Sequence, residues 1–235
     1  MTLWVWRHPP PQGVAGRCIG RTDVPVDPRK AKRLAHQIRG FQRKGLRAST
    51  GTGVGAGSGV SAGVDVDGSA GKRDREATRP SAAPRVVLTS PLQRSASVGR
   101  WLKAWGWAHR VDARLCEMDF GAWEGQRWDD IGAAAVDTWC AAFTHHPAGG
   151  GESVAQVLAR CATFIAQPVP EGPLAQVSTS ARPIPPGAPA TWFIVGHAGW
   201  ISAALWLAQA PHPDPTASDW PRAVGYGTRV RLNGG

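Results

Sequence analysis

At 235 residues and 24.9 kDa the chain is long enough to bury a full core as one domain, and a 42% hydrophobic share with 12 Trp excludes a fibrous or wholly disordered protein. No stretch approaches the roughly 20 apolar residues of a membrane helix, Arg7 and His8 fall where a secretory leader needs its apolar region, and Cys18, Cys116, Cys140 and Cys161 show neither CxxC spacing nor a disulfide pattern, so a cytoplasmic protein with reduced thiols is expected. The formal charge of +10 gathers in Arg29–Arg47 and Lys72–Arg85 without a nucleic-acid-binding motif, which predicts a solvated basic face and a basic loop rather than a nucleic-acid site.

Leu3-Trp4-Val5-Trp6 runs into Arg7-His8 and is stopped by Pro9-Pro10-Pro11. A short, wholly apolar run of this kind suits a strand of a parallel sheet, buried on both faces. Its last residues are delivered to the sheet's carboxyl edge, where open α/β sheets bind ligands. A long loop, Pro9 to Val26, leads to Asp27 as helix N-cap and Pro28 in the first turn. Ala31, Leu34, Ala35 and Ile38 form one apolar stripe on an otherwise basic helix, with Gly40 as its expected stop. From about Gly45 to Pro84 periodicity disappears into a Gly/Ser tract with too few large apolar residues to offset ordering, so a disordered insertion is expected. The tract lacks the Gly-Lys-Ser/Thr ending of a phosphate-binding loop.

Arg85–Thr89 predicts a second strand, with Ser90 as cap and Pro91 in the first turn of a helix striped by Val98, Trp101, Leu102 and Trp105 and ending near Gly106. Arg94 falls in that first turn, at the carboxyl edge, where free backbone N–H groups also favour an anion. A short segment, Val111 to Leu115, precedes a loop, Cys116–Gly125, that carries Glu117, Asp119 and Glu124. Trp128, Ile131, Ala135 and Trp139 mark another helix, and Glu152-Ser153 open one striped by Val154, Val157, Leu158, Cys161 and Ile165. Adjacent His145 and His146 point apart on an extended loop with no third ligand at suitable spacing, so no metal site is expected. A Pro-rich connection, Gln167 to Ala190, precedes the strand Thr191–Val195, which ends in Gly196-His197-Ala198-Gly199. The helix Trp200–Gln209 is apolar almost all round and therefore buried, and Thr228–Leu232 reads as an edge strand.

Three strands thus end in Arg7-His8, in Ser90-Pro91-Leu92-Gln93-Arg94 and in Gly196-His197, with Glu117 in a loop between the second and third. Together with Glu-Met-Asp-Phe-Gly-Ala-Trp-Glu-Gly at Glu117 to Gly125 and Gly-Gly-Glu-Ser-Val at Gly150 to Val154, this order resembles the histidine phosphatase (phosphoglycerate mutase-like) superfamily. Gly-Arg-Cys-Ile-Gly-Arg-Thr-Asp-Val-Pro-Val at Gly16 to Val26 looks most like its alpha-ribazole phosphatase branch, whose members remove a phosphate during assembly of the cobalamin nucleotide loop.

The resemblance implies an α/β three-layer sandwich, a mostly parallel sheet with helices on both faces, and a single domain over 1–235 interrupted by the insertion at about 45–84. It implies a phosphomonoesterase that works through phosphohistidine on a small phosphorylated metabolite, with no cofactor and no metal. His8 would be the nucleophile. Arg7, Arg94 and His197 would surround the transferring group, with Gly20 and Arg21 also binding substrate, and Glu117 would serve as acid and then base; Glu124 competes with it. Cys116 is expected to pack only. No nucleic-acid or membrane partner is expected. The family's Gly, Thr or Ser, and Asn after Arg-His are here replaced by Pro9-Pro10-Pro11-Gln12-Gly13, with Gln12, Arg17 and Arg21 as candidate substitutes. Two alternatives stay open: a mutase moving phosphate between hydroxyls of a small acid, and a catalytically weakened module binding nucleic acid or acidic protein through its basic face.

Overall fold

A computed structural model describes residues 2–50, 85–167, 191–209 and 214–233. Five strands, β1 (Thr2–Arg7), β2 (Val86–Thr89), β3 (Ala108–Val111), β4 (Thr191–Gly196) and β5 (Arg229–Asn233), make one sheet in the order β3-β2-β4-β1-β5. The first four are parallel, and β5 closes the β1 edge antiparallel, pairing Leu3 with Leu232 and Val5 with Val230. Side chains alternate across the sheet as strand geometry requires. Leu3, Val5, Val86, Leu88, Trp192 and Ile194 face one helical layer, while Trp6, Val87, Phe193 and Val195 face the other. Both faces are covered, so the apolar runs without polar alternation are those of a parallel sheet buried on both sides.

Helices α1 (Pro28–Thr50) and α2 (Gln93–Ala104) form the first layer through Ala31, Leu34, Ala35, Ile38, Val98 and Leu102. The second layer holds α4 (Val154–Ala166) and α5 (Ala198–Gln209), with Phe164 set edge-on to the fully buried Trp200 at a centroid distance of 5.5 Å. The three-layer α/β sandwich read from the sequence is therefore the architecture observed. α3 (Ala133–Ala141) is largely exposed, with no buried residue, and precedes Phe143, which is buried.

Several local expectations are corrected. α1 does not stop at Gly40: a helical glycine costs only about 1 kcal/mol, and Phe41 just beyond it packs edge-on against Trp4 at 4.7 Å and Trp6 at 5.6 Å. The helix therefore includes 45–50, and the rest of the expected insertion lies outside the described residues, as does 168–190 of the Pro-rich connection. Ser90 does not cap α2, whose flanking residue is Leu92. Trp128 and Ile131 precede α3, with Gly132 at its N-cap. The edge strand β3 is an addition to the elements read from the sequence, because Ala-His-Arg-Val carries no apolar alternation to announce it. Other expectations are met. Asp27 accepts the Arg29 N–H at 2.8 Å at the start of α1, and Ser153 caps α4 in a reciprocal box with Gln156.

Candidate functional site

β1, β2 and β4 end at one edge of the sheet, and the residues following them converge there. The His8 N–H donates to the Gly196 carbonyl at 3.0 Å, extending the β1–β4 ladder by one residue. This brings the His8 and His197 rings to 4.9 Å between centroids. Above them opens a cavity of about 540 Å³. Arg7, His8, Arg17, Arg94, Glu117 and Arg222 are among its ionisable lining residues, and Phe120, Trp128, Trp139, Phe143 and Trp220 supply much of its aromatic lining.

His8 is buried, and its Nδ1 lies 2.7 Å from the Pro9 carbonyl. A carbonyl only accepts, so Nδ1 carries the hydrogen and the Nε2 lone pair is left free. Desolvation pushes the imidazole pKa down to about 3 despite that bond, with Arg94 and Arg7 adding to the depression, so His8 is neutral near pH 7. His197 is completely buried and is held well below the usual histidine range by desolvation and by His8, Arg94, Arg160 and Arg7. Its Nε2 sits 2.7 Å from the Ser90 hydroxyl, which explains why Ser90 is unavailable as a helix cap. Its Nδ1 has no hydrogen-bond partner among the described residues.

The two arginines are anchored by backbone carbonyls. Arg94, 1% exposed, donates from one terminal nitrogen to the Thr22 carbonyl at 2.7 Å and from the other to the Gly20 carbonyl. Arg7 donates to the Val224 carbonyl at 2.6 Å, and its guanidinium carbon stands 3.9 Å from the centre of the Tyr226 ring. Glu117 accepts the Gly199 N–H at 3.1 Å on one oxygen and the Met118 N–H at 3.0 Å on the other. A Cβ at residue 199 would run into the Glu117 Oε1, so a larger residue there would push the carboxylate aside.

Gly20 and Arg21 do not line the cavity. Their N–H groups donate to Glu124 at 3.1 and 2.7 Å, and the Arg21 guanidinium lies 3.3 Å from Glu152. Glu124 also accepts from the Thr22 N–H, the Thr22 hydroxyl and the Phe120 N–H. Burial pushes its pKa up, but the Thr22 hydroxyl and the N–H groups of Arg21, Thr22 and Gly20 outweigh this and hold it below the ordinary range. Of the two competing acids, Glu117 faces the cavity and Glu124 ties two loops together. The N-terminus of α2, expected to be open to an anion, already has Asp23 on the Gln93 N–H at 2.7 Å. Of the candidate substitutes after His8, Arg17 lines the cavity and Gln12 does not. Cys116 is buried, and its thiol is pushed up chiefly by desolvation.

Two contributors escaped sequence reading. Arg160 on α4 grips the Glu117 loop, donating to the carbonyls of Arg114 at 3.0 Å, Cys116 at 2.7 Å and Glu117 at 3.1 Å, while pairing with Glu152 at 2.8 Å. In the sequence it is one polar residue on an amphipathic helix, with nothing to mark it. Tyr226 is the chain's one tyrosine, and although Gly225 and Gly227 mark a turn around it, nothing local shows that the turn sets it beside Arg7. Among the described residues no three His, Cys, Asp or Glu side chains are grouped as metal ligands.

Comparison with known families decides the kinship: the model of the histidine phosphatase superfamily (branch 1) matches residues 71–220. The chain belongs to that superfamily. No curated protein matches it by sequence. Among solved structures, the alpha-ribazole phosphatase from Shigella flexneri is similar, with a TM-score of 0.60 and 20% identity over 99% of this chain and 90% of that one. A mycobacterial glucosyl-3-phosphoglycerate phosphatase, solved with VO3, gives 0.61 and 20% over 99% and 92%. A protein from Thermus thermophilus gives 0.54 and 20% over 98% and 92%. These likenesses establish the superfamily's fold in this chain. The matched segment begins after residue 70, so His8 stands outside it and its assignment rests on the geometry above.

Proposed function

We propose that the protein is a metal-independent phosphomonoesterase that works through a phosphohistidine on His8. The observation that carries this reading is the state of His8: a neutral ring whose Nδ1–H is taken by the Pro9 carbonyl, facing the cavity between two arginines and a carboxylate. In the first step the Nε2 lone pair attacks phosphorus, the P–N bond forms, and the ester P–O bond breaks. Glu117, entering as the acid, gives its proton to the departing alkoxide. In the second step it takes a proton from water, which attacks phosphorus and releases inorganic phosphate and neutral His8. Arg7 and Arg94 supply fixed positive charge to the phosphoryl oxygens as negative charge spreads over them. His197 is completely buried and does not line the cavity, so its ring beside His8 at 4.9 Å supports that histidine from behind.

The aromatic wall of Phe120, Trp128, Trp139, Phe143 and Trp220 favours a substrate whose alcohol carries a flat apolar group. Alpha-ribazole 5'-phosphate, an intermediate in cobalamin assembly, satisfies this, and such a role belongs in the cytoplasm. Phosphate release from 4-nitrophenyl phosphate, with EDTA present, tests the chemistry. Wild type should turn over, His8→Ala should retain under about 1% of kcat, and Glu117→Gln should lose about 10²- to 10⁴-fold. Equal turnover by wild type and His8→Ala would assign the nucleophile elsewhere, and loss of wild-type activity in EDTA would overturn metal independence. Alpha-ribazole 5'-phosphate should then exceed glucosyl-3-phosphoglycerate in kcat/KM; the reverse order would reject the cobalamin assignment.

A further inference from the structure

The three residues after His8 are prolines and offer no backbone N–H to a phosphate. Side chains must therefore do more of the anion binding in this chain, and the orientation of Arg7 matters correspondingly. That orientation is set from a distant part of the sequence. The Arg7 N–H donates to the Thr228 carbonyl and its carbonyl accepts from the Gly227 N–H, both at 3.0 Å. The guanidinium donates to the Val224 carbonyl at 2.6 Å, and Tyr226 lays its ring against it at 3.9 Å. The Arg7 Nε–H is buried with no partner among the described residues. The same Tyr226 ring lies 5.5 Å from His8. Gly227, at φ 71°, takes the left-handed conformation that turns the chain between Tyr226 and β5.

Core packing does not account for the position of this ring. Tyr226 is 46% exposed, lines the cavity and belongs to neither core cluster, yet it stands at cation–π distance from a half-buried arginine. A planar cation held by one carbonyl can still swing about that bond; a ring on its face removes the freedom. We propose that Tyr226 is a positioning residue for Arg7, fixing the guanidinium plane so that its open donors meet the phosphoryl group at His8. This rests on reading the cavity as a phosphoryl-transfer site.

The experiment compares wild type, Tyr226→Ala, Tyr226→Phe, Arg7→Ala and the Arg7→Ala/Tyr226→Ala double variant, all as the full chain. Two quantities are read: kcat/KM for 4-nitrophenyl phosphate, and affinity for inorganic phosphate by calorimetry. Tyr226→Ala should lose about tenfold in both, the scale of a partly desolvated cation–π contact. Tyr226→Phe should recover most of that loss, because the ring face is retained. In the Arg7→Ala background the tyrosine substitution should have almost no further effect, which a merely structural role would not produce. Phosphate affinity unchanged in Tyr226→Ala, or equal and additive losses in the double variant, would overturn the inference. A Phe variant as weak as Ala would assign the effect to the hydroxyl and overturn it also. Wild type that binds phosphate but hydrolyses no ester would reject the proposed catalysis and leave this inference to be decided by the affinities alone. Wild type that binds no phosphate would reject both.

Discussion

His8, His109 and His197 are all neutral near pH 7 because desolvation outweighs every group that would hold a proton on them, and His8 and His109 are pushed down to about 3 and about 4. An unfolded histidine titrates near 6.5. Between that value and the depressed one the unfolded chain binds more protons than the folded one, so stability rises with pH through this window and is lost as pH falls through it. Glu124 and Glu152 add to the effect at lower pH. Each is held below its ordinary range by hydrogen bonds and, for Glu152, by Arg160, so their contribution is present above about 4.5 and is lost as pH falls further. Thermal midpoints should therefore drop steadily from pH 7 to pH 4, and His8→Gln should flatten the upper part of that slope. A midpoint that does not move over this range would show that the three histidines keep their protons when folded.

At the scale of elements, α4 acts as the splint of the acid loop. The Arg160 fork pairs with Glu152 and reaches three carbonyls between Arg114 and Glu117, so helix position and carboxylate position are coupled. Arg160→Lys keeps the charge but loses the planar fork. It should lower kcat/KM by tenfold or more through a misplaced Glu117, with little change in KM, and cost about 1–3 kcal/mol of stability from carbonyls left unpaired. Kinetics and chemical unfolding of the one variant check both. The loop that α4 supports was readable in the sequence, and its support was not. Motifs such as Arg7-His8, Arg94 and Gly196-His197 are legible because each sits at the end of an apolar strand or in the first turn of the helix that follows it. Arg160 and Tyr226 act across long separations, and only folding brings them to their targets. Local signals failed where tertiary contacts overrode them: Gly40 was outweighed by Phe41 against Trp4 and Trp6, and Ser90 left its capping role for His197.

Across the whole molecule, the sheet depends on β5 more than an edge strand's exposure suggests. β5 covers the open side of β1, and Leu232 joins the core that also holds Leu3 and Val5. A chain cut after Val224 would expose a β1 edge apolar on both faces, the kind of edge that pairs with other molecules. Such a truncation should elute as aggregates in size-exclusion chromatography; a soluble monomer would show that β1 needs no cover.

The same pairing has a consequence in time. β1 is synthesised before either of its neighbours, yet one of them begins at Thr191 and the other at Arg229. While the chain grows, the strand bearing His8 has no ladder to join, and the loops around it close only when β5 has left the ribosome. The growing polypeptide therefore carries His8, the proposed nucleophile, through most of its synthesis before the sheet around it is complete. On the proposed reading, activity waits for the strand that seals the sheet.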